Sequence, residues 1–173
     1  LMEQKRWDMK KLEDNMPDIV KAIYDTVPTA KENSQVEVRY YDGPKGVKSV
    51  YEDALSGKEL RSYVNLELVK SIFPENADLF IDGIKRNKEL VVKELVDKSE
   101  TSQDLTTQFS TSDRYLYKYM PEGIKLTSAD VLIYDGKIGI INIKEHASAV
   151  VIANEDYYNN SKTIFDFLWE VIK

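Results

Sequence analysis

Apolar residues follow two periods along this chain, and the switches between them lay out its elements. Met9, Leu12, Met16, Ile19 and Ile23 recur at alternating steps of three and four, a heptad seam of about two repeats. Pro17 interrupts the seam and predicts a break or kink, because proline suits the first turn of a new helix and not the interior of an old one. Such a seam can pack on a partner chain or back on its own domain. Val27 to Gln35 is a polar linker. Val36 to Tyr41 then alternates as a strand. It is followed by a helix carrying Val47, Val50, Tyr51, Ala54 and Leu55 on one face, with Gly57 as its stop. Glu59 to Asn65 reads as a strand, Leu66 to Phe73 as a short helix ended by Pro74, and Ala77, Phe80, Ile81 and Ile84 mark a longer helix before the strand Leu90 to Val96. This alternation implies parallel pairing through helical crossovers.

The second half turns to strands. Ser99 to Ser112 is polar and reads as a surface loop or weak helix, and Arg114 to Met120 alternates with Tyr115, Tyr117 and Tyr119 on one side. The stretch around which the chain is organised is Leu126 to Lys144. There Val131 to Tyr134 and Ile138 to Ile143 flank Asp135-Gly136, whose tolerance of positive φ closes a tight hairpin. Ala147 to Ala153 is a further strand. The last helix starts at Asn154, with Glu155 and Asp156 in its first turn and Tyr157, Ile164, Phe165, Leu168, Val171 and Ile172 as a broad apolar face. That face reads as the inner side of a helix closing the core.

Composition narrows the chemistry. The 173 residues, 42% hydrophobic, suffice for one domain with a full core, Leu1 to Thr26 forming a helical segment and residues 36–173 the α/β domain. No run approaches the ~18 apolar residues of a membrane span, and no signal peptide opens the chain, so a cytoplasmic protein is expected. The start at Leu1 instead of Met suggests a fragment or trimmed product. With no cysteine and a single histidine, His146, thiolate chemistry and any multi-histidine metal centre within the chain are excluded, and no cofactor is expected. A net charge of −6 argues against this chain gripping a phosphate backbone by itself. Asp42 to Gly46 joins a strand to a helix but lacks the spacing of a P-loop. Ligands of open α/β sheets collect beyond the carboxyl ends of the parallel strands, which makes Asp42 and Asn65 candidate ligand-binding residues. The tyrosine row suits packing better than sugar stacking, and His146 reads as a solvated loop residue.

Two stretches carry a resemblance. The Asp-Gly-Lys hairpin, the strand after it and the terminal helix ending Phe-Asp-Phe-Leu-Trp-Glu resemble the end of the effector domain in TrmB-like transcriptional regulators, a relative of the phospholipase D fold. Upstream, the alternating strand that begins at Val36 runs into Tyr-Tyr-Asp-Gly-Pro-Lys-Gly-Val, similar to the Tyr-acid-Gly-x-x-Gly-Ile element of those regulators. The resemblance implies a phospholipase D-like mixed sheet with helices on both faces, preceded by a coiled-coil-like helix that dimerises through Met9, Leu12, Met16, Ile19 and Ile23. It also implies a sugar-like effector, and DNA binding only through a winged helix outside this chain. Phospholipase D enzymes place His-x-Lys-x4-Asp on this hairpin. Counted back from Asp135, the histidine place holds Ser128 and the lysine place Asp130, a hydroxyl without a base and a carboxylate that repels phosphate. The expectation is therefore a non-enzyme in which Ser128 and Asp130, with Asp42 and Asn65, bind a polar, uncharged ligand. The rival reading is a phosphodiesterase or nuclease of the phospholipase D type, and a stand-alone interaction module is the third.

Overall fold

A computed structural model describes residues 36–110, 112–126, 129–142 and 146–173. The seam residues Met9, Leu12, Met16, Ile19 and Ile23 lie outside the described residues, as does Ser128. In chain order the elements are β1 (Glu37–Asp42), α1 (Gly43–Ser56), β2 (Glu59–Val64), α2 (Leu66–Ile72), α3 (Asn76–Arg86), β3 (Val91–Val96), α4 (Glu100–Phe109), β4 (Tyr115–Tyr119), β5 (Ala129–Tyr134), β6 (Lys137–Asn142), β7 (Ser148–Ala153) and α5 (Glu155–Val171).

The seven strands form one sheet in the order β1-β7-β6-β5-β2-β3-β4. β2, β3 and β4 run parallel, joined by the crossovers that their alternation with helices predicts. β5 pairs antiparallel with β2, and the β5-β6-β7-β1 half is antiparallel throughout. Asp135 and Gly136 sit at φ 40 and 77, the paired positive values of a type I′ turn.

The two faces are covered unequally. Helices α1 to α4 share one face, where Val47, Val50, Ala54, Leu60, Leu90, Val92, Leu132, Tyr134 and Ile141 form the main core. Gly83 lets α3 approach α1 closely: a Cβ there would stand 2.9 Å from Leu55 Cδ1. α5 lies on the opposite face, burying Phe165 and Ile172 against Leu95 and Ile133, with Leu168 and Trp169 packed beside them. Its side facing solvent carries Tyr157, Ile164, Phe167 and Val171, all exposed. The inner face is thus narrower than the apolar count implied, because one helix over a flat sheet buries only a single stripe.

Two other stretches are resolved more sharply. Ser99 to Ser112 contains a regular helix, α4, capped by Ser99 and burying Ser102, Leu105, Thr106 and Phe109. Its polar residues are inside because their hydroxyls find local partners: Thr106 Oγ1 donates to the Ser102 carbonyl at 2.8 Å and Ser102 Oγ to Asp97 at 2.6 Å. No loop separates Asp42 from the helix that follows it. Gly43 begins α1 directly, with Pro44 in its first turn.

Candidate functional site

The carboxyl ends of β2 and β3 and the start of β5 meet at one rim of the sheet. At that rim the chain leaves β2 through Asn65, whose side chain accepts from Leu68 N at 2.9 Å and so caps α2. The Asn65 amide group donates to the Leu126 carbonyl at 2.8 Å, tying the segment before β5 to this corner. Asp97, just past β3, performs the companion task. It accepts from Leu66 N at 2.8 Å, from Ser99 N at 3.2 Å and from the Ser102 hydroxyl.

Asp130 stands at the centre of the rim. The alternation of β5 turns it to the same face as Leu132 and Tyr134, toward the main core, and it is 1% exposed. The Tyr51 hydroxyl of α1 donates to its Oδ2 at 2.6 Å, and Asn65 N–H donates to Oδ1 at 3.3 Å. Burial dominates its ionisation and pushes the carboxyl up to about 7, despite these two donors; the charges of Glu94 and Asp97 push the same way. Tyr51, wholly buried beside a carboxyl, has its hydroxyl raised well above the ordinary phenol range.

A second carboxyl lies beneath. Glu94, in the middle of β3, is buried and receives the Ser62 hydroxyl at 2.7 Å and the Tyr115 hydroxyl at 2.8 Å. Burial raises its pKa, and the two hydroxyls moderate the rise. Tyr115 is held by more than this bond: its ring meets Phe80 and Phe109 edge-on and stacks on Tyr117, which meets Tyr119 in turn. The tyrosine row packs, as its alternation suggested.

The four residues expected to bind ligand are thus placed unequally. Asp130 and Asn65 touch. Ser128 lies outside the described residues. Asp42 shares the rim but is bonded elsewhere, its Oδ1 2.7 Å from Nε2 of His146 with both side chains exposed. That contact holds the Asp42 carboxyl below its usual range. In register, Asp42 faces Ser148, Ser148 faces Asn142, and Asn142 faces Ala129, which adjoins β2 near Asn65. Four strand spacings of about 4.8 Å put Asp42 roughly 19 Å from Asn65, too far to share one small ligand. In the sequence Tyr51 reads only as an inner-face residue of its helix, and Ser62, Glu94 and Asp97 were not singled out. The visible signals were a tyrosine on an inner helix face and, in β3, a glutamate on the same side of the strand as Val92 and Val96. Both types need a buried partner there.

No group of three carboxyl or imidazole side chains is gathered as a cation site among the described residues. A cleft of about 240 Å³ runs between α1 and the α2-to-α3 turn, lined by Pro44, Lys45, Lys48, Phe73 and Leu79 and bounded by Tyr51, so that this ring separates it from Asp130. A larger cleft of about 630 Å³ lies at the opposite end of the parallel strands, where Arg114 is already committed to the carbonyls of Ile84, Asn87 and Leu90.

Solved structures share this architecture. TrmBL2, an archaeal chromatin protein with a novel mode of DNA binding, superposes with a TM-score of 0.55 at 12% identity over 99% of this chain. Nuc, a phospholipase D family member from Salmonella typhimurium, matches at 0.58 and 14% identity over 80% of the chain and 97% of its own. The fold is phospholipase D-like. NucT from Helicobacter pylori agrees, at a TM-score of 0.55, 7% identity, 79% of this chain and 98% of its own. The chain spans 66% of the TrmBL2 chain. No protein-family model matches the sequence, and no curated protein does. At these identities the likeness is one of fold, and it bears out the TrmB-like, phospholipase D-like architecture read from the hairpin. Among the described residues, no helix is long and apolar enough to cross a membrane.

Proposed function

We propose that this domain senses a small effector and dimerises on behalf of a TrmB-like DNA-binding regulator, and that it does so without catalysis. One observation carries the reading. Asp130, on which the lysine place of the phospholipase D motif falls when counted back from Asp135, is a buried carboxyl already bonded to the Tyr51 hydroxyl. A cation there would draw in phosphate; this carboxyl repels it and, half protonated near neutral pH, suits exchange of hydrogen bonds with a neutral hydroxyl. A polyol or sugar hydroxyl would take the place of the Tyr51 hydroxyl on Asp130. Because Tyr51 belongs to α1 and Asn65 caps α2, that exchange would bias how both helices sit on the sheet, a population shift driven by the ligand's differential affinity. The heptad seam would carry dimerisation, and DNA contact would fall to a winged helix outside this chain.

Titration calorimetry of the full chain with neutral mono- and disaccharides, each beside its phosphorylated form, tests the reading. A neutral sugar is expected to bind, its phosphate not to bind, and Asp130→Asn to weaken the neutral sugar by about tenfold, near 1.4 kcal/mol. Preference for the phosphorylated forms, or no binding by any sugar, would remove the sensing role.

A further inference from the structure

β1 is an edge strand whose outer side has no partner among the described residues. Edge strands expose a row of N–H and C=O groups, and proteins ordinarily blunt them with proline, bulges, lysines or very short length. β1 has no proline, bulge or lysine, and its two mid-strand charges, Glu37 and Arg39, are of opposite sign and already paired with each other; its six residues pair with β7 in unbroken register, from Glu37 opposite Ala153 to Asp42 opposite Ser148. It also presents large apolar side chains to solvent, Val38 at 61% and Tyr40 at 64% exposed. These lie on the face where α5 packs on β5 and β6, in register with the half-buried Val150 and Ile152 of β7.

We infer that β1 pairs antiparallel with β1 of a second copy of this chain, about a two-fold axis at Val38. Directly opposed residues of an antiparallel pair share one face of the sheet, so a two-fold axis perpendicular to it must fall on a residue and not between two. Centring on Val38 sets Val38 against its twin, Val36 against Tyr40, and Glu37 against Arg39 twice over. The neighbouring choices are worse. Centring on Glu37 would oppose two carboxylates, centring on Arg39 two guanidinium groups, and centring on Tyr40 would set Val38 against Asp42. Glu37 and Arg39 already lie 2.6 Å apart within the strand, so pairing builds an alternating four-charge row from groups held on one face. On the other face the apolar strip of Ile140, Val150 and Tyr40 continues into its copy. The opposite edge, β4, offers no charge match of this kind, since its single charged residue is Lys118, whose ammonium is bound to the Trp169 and Ile172 carbonyls. The pairing joins two seven-stranded sheets into one, an isologous contact that closes on itself. It does not depend on the effector reading.

The chain has no cysteine, which makes cross-linking unambiguous. Directly opposed residues of an antiparallel pair have Cα atoms about 4.5–5.5 Å apart, within disulfide range, whereas Tyr40 and its twin would be offset by about 14 Å along the strands. Under mild oxidation the full chain bearing Val38→Cys is expected to form a disulfide dimer in at least about tenfold the yield of Tyr40→Cys. Adding Arg39→Glu to Val38→Cys, which opposes Glu37 to a second carboxylate, should cut that yield, and adding Glu37→Arg as well should restore it. Equal yields from the two cysteines, a Val38→Cys chain that stays monomeric, or a charge swap that fails to rescue would each overturn the proposal. All of these positions are exposed, so the variants should fold as the parent does.

Discussion

Asp130 decides the chemistry of the rim, and its environment makes a prediction with a definite sign. The folded carboxyl titrates near 7, above the ordinary 3.8 of an unfolded aspartate, so the folded state holds the proton more tightly. Its contribution to stability is full below the unfolded value and is lost as pH rises through the folded one. Asp130→Asn removes this dependence while keeping an acceptor for the Tyr51 hydroxyl. Urea denaturation at about pH 4.5 and about pH 8.5 should show the parent losing roughly 3 kcal/mol more than Asp130→Asn between the two, on the order of two proton-binding decades. Equal losses would mean that the carboxyl is solvated. Glu59 shows the opposite case at the surface. Burial opposes its ionisation, but hydrogen bonds from Lys162, Tyr158 and Arg61 outweigh that and hold it at about 2, so its contribution is present above the ordinary range and fades as pH falls toward 2. Partly exposed, it is screened and contributes modestly.

At the scale of elements, α5 tests which side chains build the second core. Phe165 is 0% exposed, edge-on to Tyr63 and stacked on Trp169, whereas Phe167, two residues on, is 65% exposed. Thermal denaturation should show Phe165→Ala costing about 3–5 kcal/mol and Phe167→Ala within about 0.5 kcal/mol. Comparable losses would put both faces of the helix in contact. The helix is further fixed by charge: Arg61 of β2 reaches Asp166 at 2.8 Å and Glu59 at 2.9 Å, and Lys118 caps its last turn. The hairpin, the crossovers and the start of α5 at Asn154 were legible because turn chemistry and apolar period are local. Asp135-Gly136 needs positive φ wherever it sits, and Asn154 caps by accepting from Tyr157 N. Which side of α5 faces the sheet was not legible, because Tyr157, Ile164 and Val171 are as apolar as the residues that are buried. α4 reads from its sequence only as a surface loop or weak helix, because its serines and threonines are favourable inside only once Asp97 and Tyr119 are known to meet them.

For the whole molecule, the sheet explains why part of the candidate site was readable and part was not. The rule that ligands gather at the carboxyl ends of strands pointed to Asp42 and Asn65, the hairpin resemblance added Asp130, and all three stand on one rim. Their separation follows from strand order, with β7, β6 and β5 inserted between β1 and β2, and nothing local in the chain encodes that order. The same arrangement leaves β1 as an open edge and buries the acidic centre behind Tyr51. A phospholipase D-like fold thus holds a buried, hydrogen-bonded carboxyl, Asp130, at its rim, and this carboxyl is proposed to stand in the lysine place of the enzyme motif. Turnover of a chromogenic phosphodiester, bis(p-nitrophenyl) phosphate, by the full chain measures this claim most directly. Hydrolysis is expected to be no faster than in buffer alone, and unchanged in Asp130→Asn. Turnover that follows the protein through repurification and falls in Asp130→Asn would contradict it.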